Sequence, residues 1–228
     1  MTEKMFSKSW FANLDNTLRK KGLDSDLYSF DETLKHIKSK NYRVSPDEFV
    51  SCAAYSILAS GFKQTTAKTY HEQVMKKLPE NPHLEDLLDI FENANKMYAI
   101  WKIWNNRNEY CADYYECKTL EDKLNFLETL PYIGKITNRH LARNLGEDTP
   151  KYDIWVQRLG IIYSGNNKLE ENNAKLTPEI QRVCDDMFNH LIKETGFPRG
   201  YIDAVLFKAA SNGLIEVVAE KKKGKKSK

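Results

Sequence analysis

A chain of 228 residues with 41% apolar and 29% charged residues can bury one sizeable core, or two small lobes, and is too short for several independent domains. Its 7 prolines, 10 glycines and 11% aromatics are ordinary globular usage, which excludes a disordered or collagen-like chain, and the apolar run at 53–59 is far short of the roughly 20 residues a membrane span needs. The formal net charge of +3 hides an asymmetry: 220–228 holds six lysines and one glutamate, leaving 29 basic and 31 acidic residues, or −2, in the body.

Charges in MTEKMFSKSWF occupy the place where a secretory signal needs an apolar segment, so a cytoplasmic or nuclear chain is expected. Ser45-Pro46-Asp47-Glu48 reads as a capping box with proline at the first helical position, opening a helix through Phe49, Val50, Ala53, Ala54, Ile57 and Leu58. After Asn81-Pro82, apolar residues from Leu84 to Trp101 recur at helical spacing and predict one long helix reaching Trp104, with Trp101 and Trp104 in the core. Thr119 and Thr177-Pro178-Glu179 open further helices, and the last runs over 200–210 until Asn212-Gly213 stops it. The alternation of a half-buried strand is missing, so the prediction is an all-helical protein of roughly ten helices. Cys52, Cys111, Cys117 and Cys184 are 59, 6 and 67 residues apart, a spacing that fits neither a zinc site nor a dense disulfide framework, and they read as reduced thiols, mostly in the core. The five histidines have no metal-like partners, and His140 is expected to be a surface or phosphate-facing residue. The segment 219–228 reads as a disordered lysine-rich appendage, either solubilising or drawn to phosphates.

The chemistry concentrates between Thr119 and Gly160. A capped amphipathic helix runs to Leu130, Pro131 ends it, Tyr132, Ile133 and Gly134 make a tight turn, and a second helix runs from about Lys135 until Gly146 closes it. Backbone N–H groups of such a turn, beside a helix N-terminus, make an anion site suited to a DNA phosphate, with Lys135 and Arg139 adding charge. A short extended stretch at 147–152 then delivers Asp153 to the start of the next helix. An aspartate there is a normal N-cap, but a carboxylate held near a bound DNA backbone also stabilises positive charge on a sugar ring or activates water.

Leu130-Pro131-Tyr132-Ile133-Gly134-Lys135-Ile136-Thr137, followed by Tyr152-Asp153-Ile154-Trp155-Val156, resembles the signature of the helix-hairpin-helix (HhH-GPD) DNA glycosylase superfamily. The stretch from Gly200 to Phe207 is similar to the C-terminal helix that lines the base pocket of 8-oxoguanine glycosylases, and Glu48 to Lys68 resembles the region before the residue that fills the gap left by an extruded base. The resemblance implies a two-lobed helical fold with the active-site cleft between lobes. A single unit over 1–218 would comprise lobes at about 40–118 and 119–165, with terminal helices at 1–39 and 177–213 packed on them. It also implies a monomeric enzyme of double-stranded DNA, with no membrane partner, that flips a modified base out and hydrolyses its N-glycosidic bond. Asp153 would be catalytic. Tyr132, Ile133, Gly134, Lys135, Thr137 and Arg139 would form the phosphate-binding hairpin, Asp203 and Phe207 the base pocket, and Phe62 the intercalating wedge.

Departures from the family pattern bound these expectations. The lysine that attacks the sugar in bifunctional members is replaced by Ile136, with Lys135 one residue earlier, so a monofunctional glycosylase is favoured over a glycosylase/lyase using Lys135. The four clustered cysteines of iron–sulfur members are absent, so no cofactor or metal is expected. Tyr132 stands where the family usually has glycine. Oxidised guanine is the expected substrate, with a hypermodified cytosine such as one in viral DNA, met in antiviral defence, as the alternative. A non-catalytic DNA clamp built on the hairpin is the competing class.

Overall fold

Residues 4–62, 64–166, 168–172 and 176–217 are described by a computed structural model, and the expected helical character holds throughout them. Among the described residues there are twelve α-helices and one 3-10 turn, Leu78–Glu80, and the only extended pairing is an isolated bridge between Ser25 and Ser29. The helices are α1 (Lys8–Lys20), α2 (Phe30–Lys38), α3 (Pro46–Ala59), α4 (Gln64–Lys77), α5 (Leu84–Leu88), α6 (Ala94–Asn105), α7 (Arg107–Glu116), α8 (Leu120–Thr129), α9 (Thr137–Asn144), α10 (Ile154–Ser164), α11 (Pro178–Thr195) and α12 (Arg199–Ser211). No helix of the described residues is long and apolar enough to cross a membrane. The lysine-rich segment 219–228 lies outside the described residues.

The described chain divides into two compact units, at 23/24 and 151/152 rather than at the expected 118/119. One, the hairpin unit, holds 24–151 and 198–201; the other, the Asp153 unit, holds the described parts of 1–23, 152–197 and 202–217. The expected boundary fails because α8 packs on α7 and α9 packs on α3, so the hairpin shares the core of the helices before it.

In the hairpin unit α3 is central, with α4, α6, α7 and α9 packed on it. Nine of its residues, from Phe49 to Leu58, are buried, as a helix apolar on nearly every side requires. Ser45 caps it, accepting from the Glu48 N–H at 3.2 Å, but the reciprocal half of the expected capping box is not made. Glu48 instead accepts from the Tyr28 hydroxyl at 2.9 Å and the Tyr42 hydroxyl at 3.3 Å. The single long helix predicted up to Trp104 is two, because the chain breaks after Leu88 and Asn93 starts α6 anew, its side chain accepting from the Lys96 N–H at 3.1 Å. Trp104 is buried and Trp101 half-buried.

α9 is held by polar bonds more than by apolar area. Its inward face carries Leu141 and Ala142 together with Asn138, His140, Arg143 and Asn144. Contrary to the expectation of a surface residue, His140 is 2% exposed, because its helix face turns to Asp26 and Tyr55 in the core. Its Nε2 lies 3.4 Å from Asp26 Oδ2, Arg143 Nη2 lies 3.6 Å from the same oxygen, and the Tyr55 hydroxyl donates to Asp26 Oδ1. Gly146 closes the helix in the left-handed region, φ +91°, with its N–H on Arg143 O and the Glu147 N–H on Ala142 O, both 3.0 Å.

In the Asp153 unit α10 and α11 lie side by side and α1 packs on α11. Gly160 sets how closely: a Cβ there would lie 2.6 Å from Cys184 Sγ and 3.0 Å from the Cys184 backbone. Thr177 caps α11, accepting from the Ile180 N–H at 3.3 Å, and α12 ends at Gly213 in the left-handed region, as the sequence signals require.

Two outcomes are expected. Gly160→Ala would gain about 1 kcal/mol from helix propensity alone, but forcing α10 off α11 should cost about 1–3 kcal/mol, so the urea midpoint should fall. For His140, burial first and the Lys151 charge next push the imidazole down to about 3, from an ordinary 6.5. The unfolded chain then takes up a proton that the folded one refuses, so the His140 contribution is whole above pH 6.5 and is lost as pH falls toward 3. Denaturant titrations across that window should show a steeper loss of stability for the wild type than for His140→Gln.

Candidate functional site

The turn between α8 and α9 follows from its residues. The Ile133 N–H donates to Leu130 O at 3.2 Å, and Tyr132 at the third position has φ +65°. Proline second and a positive φ third are the marks of a type II turn, in which glycine or asparagine is favoured. Tyr132 therefore adopts the glycine-like conformation at a cost of about 1–2 kcal/mol, and the turn keeps its form despite the departure. Ile133 turns inward and is buried, anchoring the turn, whereas Tyr132, Gly134 and Lys135 are exposed.

No backbone carbonyl among the described residues accepts from the N–H groups of Gly134, Lys135 or Ile136, which lie at the N-terminal end of α9. Gly134 has no positive φ, and a Cβ built on it would meet nothing within 4 Å. Neither the backbone nor the packing demands glycine there, and without a side chain these N–H groups stay open to close approach from outside the chain. Thr137 is half-buried, and Arg139 donates from Nη1 to Thr149 Oγ1 at 3.0 Å, which ties it to the loop after α9. Phe62, just after α3, is 42% exposed, edge-to-face on Phe91 with ring centres 5.4 Å apart.

In the Asp153 unit, Tyr152 has φ +44°, and Asp153 caps α10 as expected of an aspartate at that place. Its Oδ1 accepts from the Trp155 N–H at 3.0 Å and the Val156 N–H at 3.2 Å, which fixes the carboxylate at the positive end of the helix. Asp153 is buried, and Asp203, on α12, is wholly so; Phe207, one turn further along α12, is half-buried.

Asp153 and Asp203 meet at a third residue, one that spacing did not single out. Burial first, and then the charges of Asp185, Asp203 and Asp153, push the Cys184 thiol up to about 12. The charges of Asp153 at the N-cap of α10, Asp185 on α11 and Asp203 on α12 all act on one buried thiol, whose Sγ donates to Val156 O at 3.6 Å. The Tyr152 hydroxyl donates to Asp185, so the residue before the cap is tied to the same cluster. Asp185 and Cys184 give no local signal in the sequence, because the grouping arises only when α10 and α11 pack. All four cysteines are free thiols, three of them buried, and among the described residues no group of three or more His, Cys, Asp or Glu is arranged to hold a metal ion.

No family model and no curated protein matches the sequence. Among solved structures, the fold is similar to that of the Methanocaldococcus jannaschii 8-oxoguanine glycosylase/lyase in complex with a 15mer DNA containing 8-oxoguanine. The TM-score is 0.64 at 16% identity, over 90% of this chain and 97% of that one. The 8-oxoguanine DNA glycosylase of the same organism, in a second structure, is similar with a TM-score of 0.64 at 16% identity, over 90% of this chain and 93% of that one. What the chain shares with them is an all-helical fold over nearly its whole length.

Proposed function

We propose that this chain is a DNA glycosylase that extrudes a modified base from duplex DNA and hydrolyses its N-glycosidic bond. The observation that carries the reading is the placement of Asp153: a buried carboxylate, oriented by two backbone amides, with Asp203 in the same cluster. It follows in sequence a turn whose N–H groups at 134–136 meet no backbone carbonyl among the described residues, within a fold similar to that of 8-oxoguanine glycosylases. In this reading the N–H groups of Gly134 and Lys135 hold a phosphate without reading sequence. Extrusion costs a few kcal/mol, offset by phosphate and pocket contacts. Asp153 stabilises the oxocarbenium-like sugar as the base departs, and water completes the reaction.

Asp203 and Phe207 supply the base pocket. An ionised carboxylate only accepts hydrogen bonds, which suits the N1–H and N2–H edge of oxidised guanine, the proposed substrate, or the exocyclic amine of an enlarged cytosine. Phe207 stacks on the extruded base. Half-buried Ile136 stands where a bifunctional enzyme carries its attacking lysine, and this favours water as the nucleophile. A lyase step would fall to exposed Lys135.

Duplexes each bearing one modified base, incubated with the protein and followed by mass spectrometry, test the reading. Free base should appear for one member. Asp153→Asn keeps the cap and the fold and should lower release by at least about 100-fold, while Gly134→Ala should weaken duplex binding at unchanged stability. Binding without release for any duplex would leave a DNA clamp. Borohydride should trap no covalent adduct; an adduct lost in Lys135→Ala would establish lyase chemistry instead.

A further inference from the structure

Two exposed aromatic side chains from distant parts of the chain share one buried cation. Lys96, on α6, is 2% exposed, and its Nζ lies 4.6 Å from the centre of the Phe62 ring and 5.7 Å from that of Tyr132. The ammonium is fixed by the C-terminal end of α3, donating to Ser60 O at 2.6 Å and Leu58 O at 3.4 Å, the end at which a cation is favoured. Burial pushes it down to about 8, which keeps most of it protonated at neutral pH. Phe62 and Tyr132, 42% and 43% exposed, are among the few large apolar side chains that face solvent. Tyr132 holds this place in a conformation that disfavours it, φ +65°, where glycine would be free of strain.

We infer that Phe62, Lys96 and Tyr132 form one stacking element that receives an unpaired nucleobase of the bound DNA, with Lys96 as the positioning residue. The inference rests on the DNA reading above and adds to it the part of the nucleic acid that this surface takes. Each ring has a face or edge on the ammonium and a remainder in solvent, the arrangement that binds bases in a sequence-tolerant way. Tyr132 lies two residues before Gly134, whose N–H has no backbone acceptor among the described residues, so a base on the ring and a phosphate on the turn belong to one short stretch of nucleotide. A base inside an intact duplex has both faces covered by its neighbours. The occupant is therefore a base without a partner, as base extrusion leaves behind.

The test compares two duplexes of one sequence, one fully matched and one with 2-aminopurine opposite a tetrahydrofuran abasic analogue. Affinity is measured by anisotropy and stacking by 2-aminopurine emission. The wild type should prefer the abasic duplex and quench the emission. In Phe62→Ala and in Tyr132→Gly the preference should fall about tenfold and the emission recover, with the double variant losing little more than either single one. Lys96→Met should lose the preference and Lys96→Arg, which keeps the cation, should retain most of it. Equal affinity of the wild type for the two duplexes, ring variants that keep the preference, or a Lys96→Met protein that keeps it would each overturn the inference. If Lys96→Met does not fold, the ring variants decide, since strictly additive losses would show two independent contacts. Failure to bind either duplex would instead overturn the DNA reading itself.

Discussion

The N-cap of α10 is the constraint from which the rest of the candidate site follows. Two amide N–H groups on one carboxylate oxygen set where Asp153 points, and the direction of α10 sets where those amides are. That direction is fixed in turn by the contact of Gly160 with Cys184, which brings α10 so close to α11 that no side chain fits between. The charges of both Asp153 and Asp203 are felt at Cys184. Asp153, Asp185 and Asp203 thus put three carboxylates within electrostatic reach of one buried thiol.

The hairpin is held by a different kind of force. α9 buries only two apolar side chains and four polar or charged ones, so hydrophobic area alone would leave its rotation poorly defined. The bonds from Asn138 to Leu124 O and Glu128 and from Asn144 to Ser56 are directional and supply what area does not, beside the charge contacts at Asp26. With His140 and Arg143 turned inward, the turn before α9 presents Tyr132, Gly134 and Lys135 to solvent. Anion binding by backbone N–H groups depends on direction as well as distance, and a helix pinned by buried polar bonds provides both.

Features that were legible in the sequence are those decided within a few residues. Ser45, Thr119, Asp153 and Thr177 cap their helices, and Gly146 and Gly213 end theirs, because a cap is a bond between neighbours along the chain. What stayed hidden required partners far apart. Glu48 abandons its local capping bond for Tyr28 and Tyr42, and His140 follows a helix face whose inward side is set by Asp26, more than a hundred residues earlier. The apolar periodicity from Leu84 onward predicted one helix because periodicity does not register that Asn93 restarts it. Nothing local in the sequence marks Lys96 for burial, which only the end of α3 and the two rings explain.

The identity of residue 153 separates the structural role from the chemical one. As a cap, asparagine, serine and aspartate differ little, since each offers an oxygen to the same two amides. Of the three only aspartate brings a full charge to this buried position. The cap therefore explains the orientation of the oxygen but not the presence of the charge. Charge is what a departing base leaves uncompensated on the sugar, and a carboxylate already held by the protein need not reorganise to meet it. In the proposed reading Ile136 fits the same division, in which an electrostatic partner and water act without a covalent bond to the chain.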